Sequence, residues 1–118
     1  MPNRSPRIVA FENAATDAMC QLNAGQPGEA LRRLQLAHVL GQRDFGRHLH
    51  IHWLMLRAGW QLRDAREVVG QVFRLLVVPL GHLSGRLPEG NPGTADVSAF
   101  TRYTPSPDVA HLLAADDA

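Results

Sequence analysis

The chain has 118 residues, 45% of them apolar and 19% charged, with twelve basic side chains against eleven acidic ones and a net charge of +1. That length fits one domain with a single core, and the composition is that of a folded protein. The charges are interleaved, which excludes the sustained basic stripe that nucleic-acid binding needs.

In chain order, Ser5 followed by Pro6 predicts a helix start, and Ile8, Phe11, Ala15, Ala18, Met19 and Leu22 recur at helical spacing until Gly25. A second helix is predicted from Pro27 to Gly41, with Ala30, Leu31, Leu34, Ala37 and His38 facing inward. A third begins at Asp44 as its cap and carries Phe45, His48, Leu49, His52, Met55 and Leu56 to Gly59. The fourth starts at Asp64, with Glu67 completing a capping-box-like pair, and buries Val68, Val69, Val72, Leu75 and Leu76. Pro79 is expected to kink or end it. From Gly81 onward glycine, proline and small polar residues predict an extended arm with turns at Glu89-Gly90-Asn91 and Pro92-Gly93. Val97, Phe100 and Tyr103 are expected to pack it back. A short helix from Ser106-Pro107, carrying Val109, Leu112 and Leu113, closes the chain, and its acidic end is expected to fray.

Leu22-Asn23-Ala24-Gly25 and Leu56-Arg57-Ala58-Gly59 repeat one pattern thirty-four positions apart. That is the period of tetratricopeptide repeats, although two units are fewer than a solenoid needs. The expected fold is all-α: four helices in two tetratricopeptide-like hairpins over residues 1–85, with the arm and terminal helix, 86–118, packed on the same domain.

Four of the six histidines lie between Ala37 and Gly59. On a strand His48, His50 and His52 would share a face; the helix-favouring residues after them, Leu54, Met55, Leu56 and Ala58, select the helix, where His48 and His52 sit one turn apart and His50 points elsewhere. His38, from the preceding helix, is the third candidate nitrogen. His82 comes next, His111 is expected in solvent, and Asp44, Glu12, Glu29, Glu67 or Cys20 are further donors on which nothing rests. Against the metal reading stands a bland one, in which the histidines are satisfied core or surface residues. Cys20 reads as a small buried hydrophobe, and one cysteine excludes an intramolecular disulfide and fits a reducing cytoplasm. No HExxH pattern or phosphate-binding glycine loop occurs. The longest apolar run, residues 72–83, holds Arg74 and Pro79 and is too short to cross a membrane, and the amino terminus, with no continuous apolar core, is not expected to be a secretory signal.

The blocks AHVLGQ (37–42), HLHIHWLMLRAGW (48–60), RDAREVVGQ (63–71) and GRLPEGNPGTADVSAF (85–100) resemble a small bacterial domain family of unknown function. His38, His48 and His52 match histidine positions of its pattern. Pro92, Thr94 and Asp96 depart from the family's usual arm, and Gln35 stands where a glutamate is frequent. The resemblance implies no activity.

The expected function is a cytoplasmic helical protein that binds zinc, nickel, cobalt or copper through His38, His48 and His52, for sequestration, sensing or delivery. The alternatives are a helical-hairpin interaction module, acting as a homodimer or with a protein partner, and a small metal-dependent hydrolase. An enzyme is the less expected case, and neither nucleic acid nor membrane is an expected partner.

Overall fold

At Ser5 the hydroxyl accepts from the Ile8 amide, and Pro6 occupies the first helical turn, where an amide hydrogen would be unpaired anyway. The computed structural model describes residues 4–115. Among these the chain is all helical: α1 (Pro6–Asn23), α2 (Pro27–Gly41), α3 (Phe45–Gln61), α4 (Ala65–Ser84) and α5 (Pro107–Ala115). None of the helices is long and apolar enough to cross a membrane. The acidic tail expected to fray lies outside the described residues.

Three-residue connections join α1 to α2, α2 to α3 and α3 to α4. Arg7, near the start of α1, donates to the Leu40 carbonyl near the end of α2 at 2.5 Å, so these two helices run antiparallel. Gln61, ending α3, donates to the Leu22 carbonyl at the end of α1 at 3.2 Å. The closest packing is α1 on α2 and α3 on α4, with α2 against α3 between them.

The core forms where the inner faces of the first three helices meet: the predicted Phe11, Ala18, Leu22, Leu34, Ala37 and Met55 are buried, joined by Leu40, Ile51, Leu54 and Ala58, while Phe45, at the start of α3, is exposed. Alanines at 18, 30, 37 and 58 are fully enclosed, so the axes approach closely. Leu34, with no exposed surface, contributes about 1.5–3 kcal/mol through its burial. From α5 Leu113 is buried, and Val109 and Leu112 lean on the same cluster. Cys20, expected inside, is exposed, because the inner face of α1 passes through Ala18 and Leu22 instead. Asp44 precedes α3 but does not cap it with its side chain; its carboxylate pairs with the buried Arg7 at 3.0 Å.

The largest departure from expectation is α4. Val69, Val72 and Leu76 are exposed, while Glu67, Gln71, Arg74 and Val78 are buried. The apolar stripe is real but faces outward, because the inner face packs on polar backbone: Arg74 donates to the carbonyls of Thr94 (2.9 Å) and Val97 (2.6 Å). Pro79 does not end the helix. It removes the amide that would bond to Leu75, yet the helix continues to Ser84, where Gly85 (φ 73°) caps it in the left-handed conformation. Residues 81–84, expected in the arm, are therefore helical. Asp64 does cap α4 through the Glu67 amide at 3.1 Å. Glu67 does not complete the box, since its carboxylate turns inward to Gln71 and the Ala95 amide.

The two halves of the 34-residue repetition occupy different environments. Gly25 (φ 72°) lies in the turn after α1, whereas Gly59 lies inside α3, where a Cβ would meet Glu67 Cγ at 3.0 Å. Phe100 and Tyr103, expected to pack segment 85–106 back, are exposed. Asn91 does so instead, its side-chain amide donating to the Ser98 and Thr101 carbonyls at 2.7 and 2.8 Å.

In urea unfolding followed by far-UV circular dichroism, Leu34→Ala should lower stability by about 2–5 kcal/mol. Asp64→Ala should cost about 1 kcal/mol through loss of its cap.

Candidate metal centre

His48 and His52 stand one turn apart on α3 and share its inner face; His38, in the last turn of α2, is folded against them by the short connection at 42–44. All three are buried. Their Nε2 atoms form a nearly equilateral triangle, with separations of 3.0 Å (His38 to His48), 3.1 Å (His38 to His52) and 3.1 Å (His48 to His52). Among the described residues this is the one cluster of three or more histidine, cysteine or carboxylate side chains close enough together to hold a metal ion.

The far side of each ring explains why these nitrogens face one another. His38 Nδ1–H donates to the Asn91 carbonyl at 2.6 Å, and His52 Nδ1–H donates to Gln71 Oε1 at 2.7 Å. Gln71 has no freedom to flip: its amide nitrogen donates to Glu67 at 2.8 Å and to the Gly93 carbonyl at 2.9 Å, so its oxygen must face His52. His48 Nδ1 meets His82 Nε2 at 2.9 Å, from the last turn of α4. The Nδ1–H donors of His38 and His52 leave the Nε2 lone pairs of those two rings directed inward, and His48 turns its Nε2 to the same point.

Burial governs the charge. It is the main cause that lowers His48 to about 3, helped by the positive forms of His52 and His82. It also lowers His52 to about 4, against the Gln71 hydrogen bond and with Arg74 adding to the effect. His38 lies well below the usual imidazole range for the same first reason, then for the charges of His52 and His48. The rings are therefore neutral at neutral pH. The Nε2 acceptors of His38 and His52 then face each other at 3.1 Å beside His48 Nε2, an arrangement that a cation would relieve.

Backbone shape contributes as well. Gly93 (φ 87°) lies so near His38 that a Cβ there would fall 2.5 Å from Cδ2 of the ring, and a Cβ at Gly90 would overlap the Tyr103 carbonyl. The Gly90-Asn91-Pro92-Gly93 run thus lets main chain close over an imidazole.

The remaining candidates fall elsewhere. His82 is in contact with His48 but outside the triangle, and His50 and His111 are exposed. Glu12 pairs with Arg4, Glu29 with Arg32 at 3.2 Å, and Asp44 with Arg7 and Arg47. Gln71, Asn91, Gly93 and Arg74 had no assigned part in the sequence reading. Their one signal was that the RDAREVVGQ block ends on Gln71 and the GNPG run contains Asn91 and Gly93. A cavity of about 380 Å³ adjoins the centre, lined by all three imidazoles, by the polar Gln42, Arg74, Ser84, Arg86 and Asn91, and otherwise by apolar residues, with no carboxylate.

The family model described as "Protein of unknown function (DUF3703)" matches residues 7–113. No curated protein and no solved structure matches the chain.

An imidazole held below its usual value in the folded chain leaves the unfolded chain the stronger proton acceptor. Stability is therefore full above about pH 6.5 and is lost as pH falls toward about 3–4, by about 1.4 kcal/mol per pH unit for each such group. Thermal melts of the metal-free protein between pH about 7 and about 4 should show this decline, and a His48→Asn/His52→Asn double variant should show a shallower one.

Proposed function

Since the chain belongs to that family of unknown function, its chemistry must be read from its own site, and we propose that it binds a first-row transition metal ion through His38, His48 and His52. The observation that carries this reading is the triangle of neutral, inward-facing Nε2 atoms whose Nδ1 atoms are all engaged behind them. Metal-bound histidines characteristically donate their second nitrogen in this way. With metal–nitrogen distances of ~2.05 Å, a triangle of this size would let one ion reach all three nitrogens from one side. That is a facial set, open on the other side. Zinc, nickel, cobalt and copper(II) all accept imidazole, and the donors alone do not choose among them.

The role that follows is to hold and release such an ion, in sequestration, sensing or delivery. In this reading the four long helices are two tetratricopeptide-like hairpins forming one body over residues 1–85, with 86–118 as an arm and helix closing the metal side. A cytoplasmic setting belongs to the same reading. The hydrolase alternative is weaker, because the described lining of the cavity contains no carboxylate to act as base.

A second reading rests on the outward stripe of α4: Val69, Val72, Leu76, Leu80 and Leu83, spaced three and four apart and uncharged. Trp53 and Trp60 are exposed as well and line one surface pocket with Val68 and Val72. An uncharged stripe favours a second copy of itself over an oppositely charged partner.

Metal analysis by mass spectrometry on untagged protein, after chelation and add-back, should find near-stoichiometric metal in the wild type and loss of it in both His48→Ala and His52→Ala. Gln71→Leu should keep the ligands yet weaken affinity about 10–100-fold. Wild type that retains no metal at pH about 7.5 would leave the interaction reading, for which sedimentation should show a dimer that Leu76→Glu converts to monomer.

A further inference from the structure

Three protein nitrogens leave a metal ion at least one coordination position for an outside ligand. Here the space around the centre is shaped for more than a water molecule. The cavity of about 380 Å³ falls in the ~300–1,000 Å³ range of small-molecule sites, and Val77, Val78, Leu87, Pro88, Ala99 and Phe100 form its apolar walls. Walls of this kind take the hydrocarbon part of a bound molecule. The neighbouring charge points to the sign of the ligand. Arg74 is buried and its guanidinium donates to the Gly70, Thr94 and Val97 carbonyls, which are neutral. Glu67 and the exposed Asp96 partly offset it. A divalent ion beside Arg74 would leave the centre net positive, which favours an anion.

Resting on the metal reading above, we propose that the centre takes a small organic monoanion, a carboxylate bearing a short unbranched alkyl tail, with its oxygen on the metal and its tail in the cavity. No covalent change is involved. Anion and tail act together: the head needs the metal, and the tail needs the walls. Each methylene moved from water into the cavity strengthens binding up to about fourfold.

The test uses the full chain loaded with cobalt(II), titrated with acetate, hexanoate and hexanol while the visible d–d bands report coordination. Hexanoate should shift the bands and bind at least tenfold more tightly than acetate, and hexanol should bind at least tenfold more weakly than hexanoate. Leu87→Asn should still take up cobalt while the preference for hexanoate over acetate falls toward one; the wild-type ratios decide alone if that variant does not fold. Cobalt bands unmoved by any of the three, or equal affinity for acetate and hexanoate, would overturn the ligand proposal and leave the metal reading standing. A chain that takes up no cobalt would overturn the metal reading and this proposal with it.

Discussion

Three uncharged imidazole nitrogens held within 3.1 Å of one another is the constraint around which the rest of this molecule is arranged. Lone pairs at that distance repel, and nothing in the rings themselves would keep them there. The arrangement persists because each ring is held from behind, by a carbonyl, an amide or another imidazole, and because burial denies the rings the protons that would otherwise bridge them. Rigidity and neutrality thus have one origin. The same packing that removes water from the histidines fixes the tautomers of His38 and His52.

This explains why α4 is turned with its polar side inward. Glu67, Gln71 and Arg74 lie on successive turns, where helical spacing aligns them, and between them they satisfy His52, the Ala95 amide and the carbonyls of Gly93, Thr94 and Val97. Segment 85–106 has no ladder or helix of its own, so its main chain needs partners. An apolar inner face on α4 would have left those groups buried and unpaired. The valines and leucines of the helix are displaced to the outside as a result.

The helices and the three ring positions were legible in the sequence because both follow from local rules. Ser5, Asp64 and Gly25 mark boundaries by chemistry that acts within one turn, and His48 and His52 share a face by geometry alone. What periodicity could not supply was which of two faces would meet the protein. On α4 the apolar stripe was the better guess by composition, and it was wrong because the competing face had partners more than twenty residues away. Pro79 misled for a related reason. Losing one helix bond matters less in a helix anchored at both ends by tertiary contacts than it would in isolation. Phe100 and Tyr103 were expected to secure the following segment because aromatic residues usually do; a single asparagine, with amide and carbonyl both engaged, does so instead.

The order of the parts along the chain has a kinetic consequence. His38, His48 and His52 fall within fifteen residues, so they meet through contacts of short sequence separation. Their supports come from farther off: Gln71 is nineteen residues beyond His52, and Asn91 is fifty-three beyond His38. Short-range contacts form early and long-range ones late. A folding or nascent chain therefore gathers its imidazoles before it can orient them, and passes through a stage with the right donors in free rotation. The ring of His38 is fixed only when the segment carrying Asn91 closes over it.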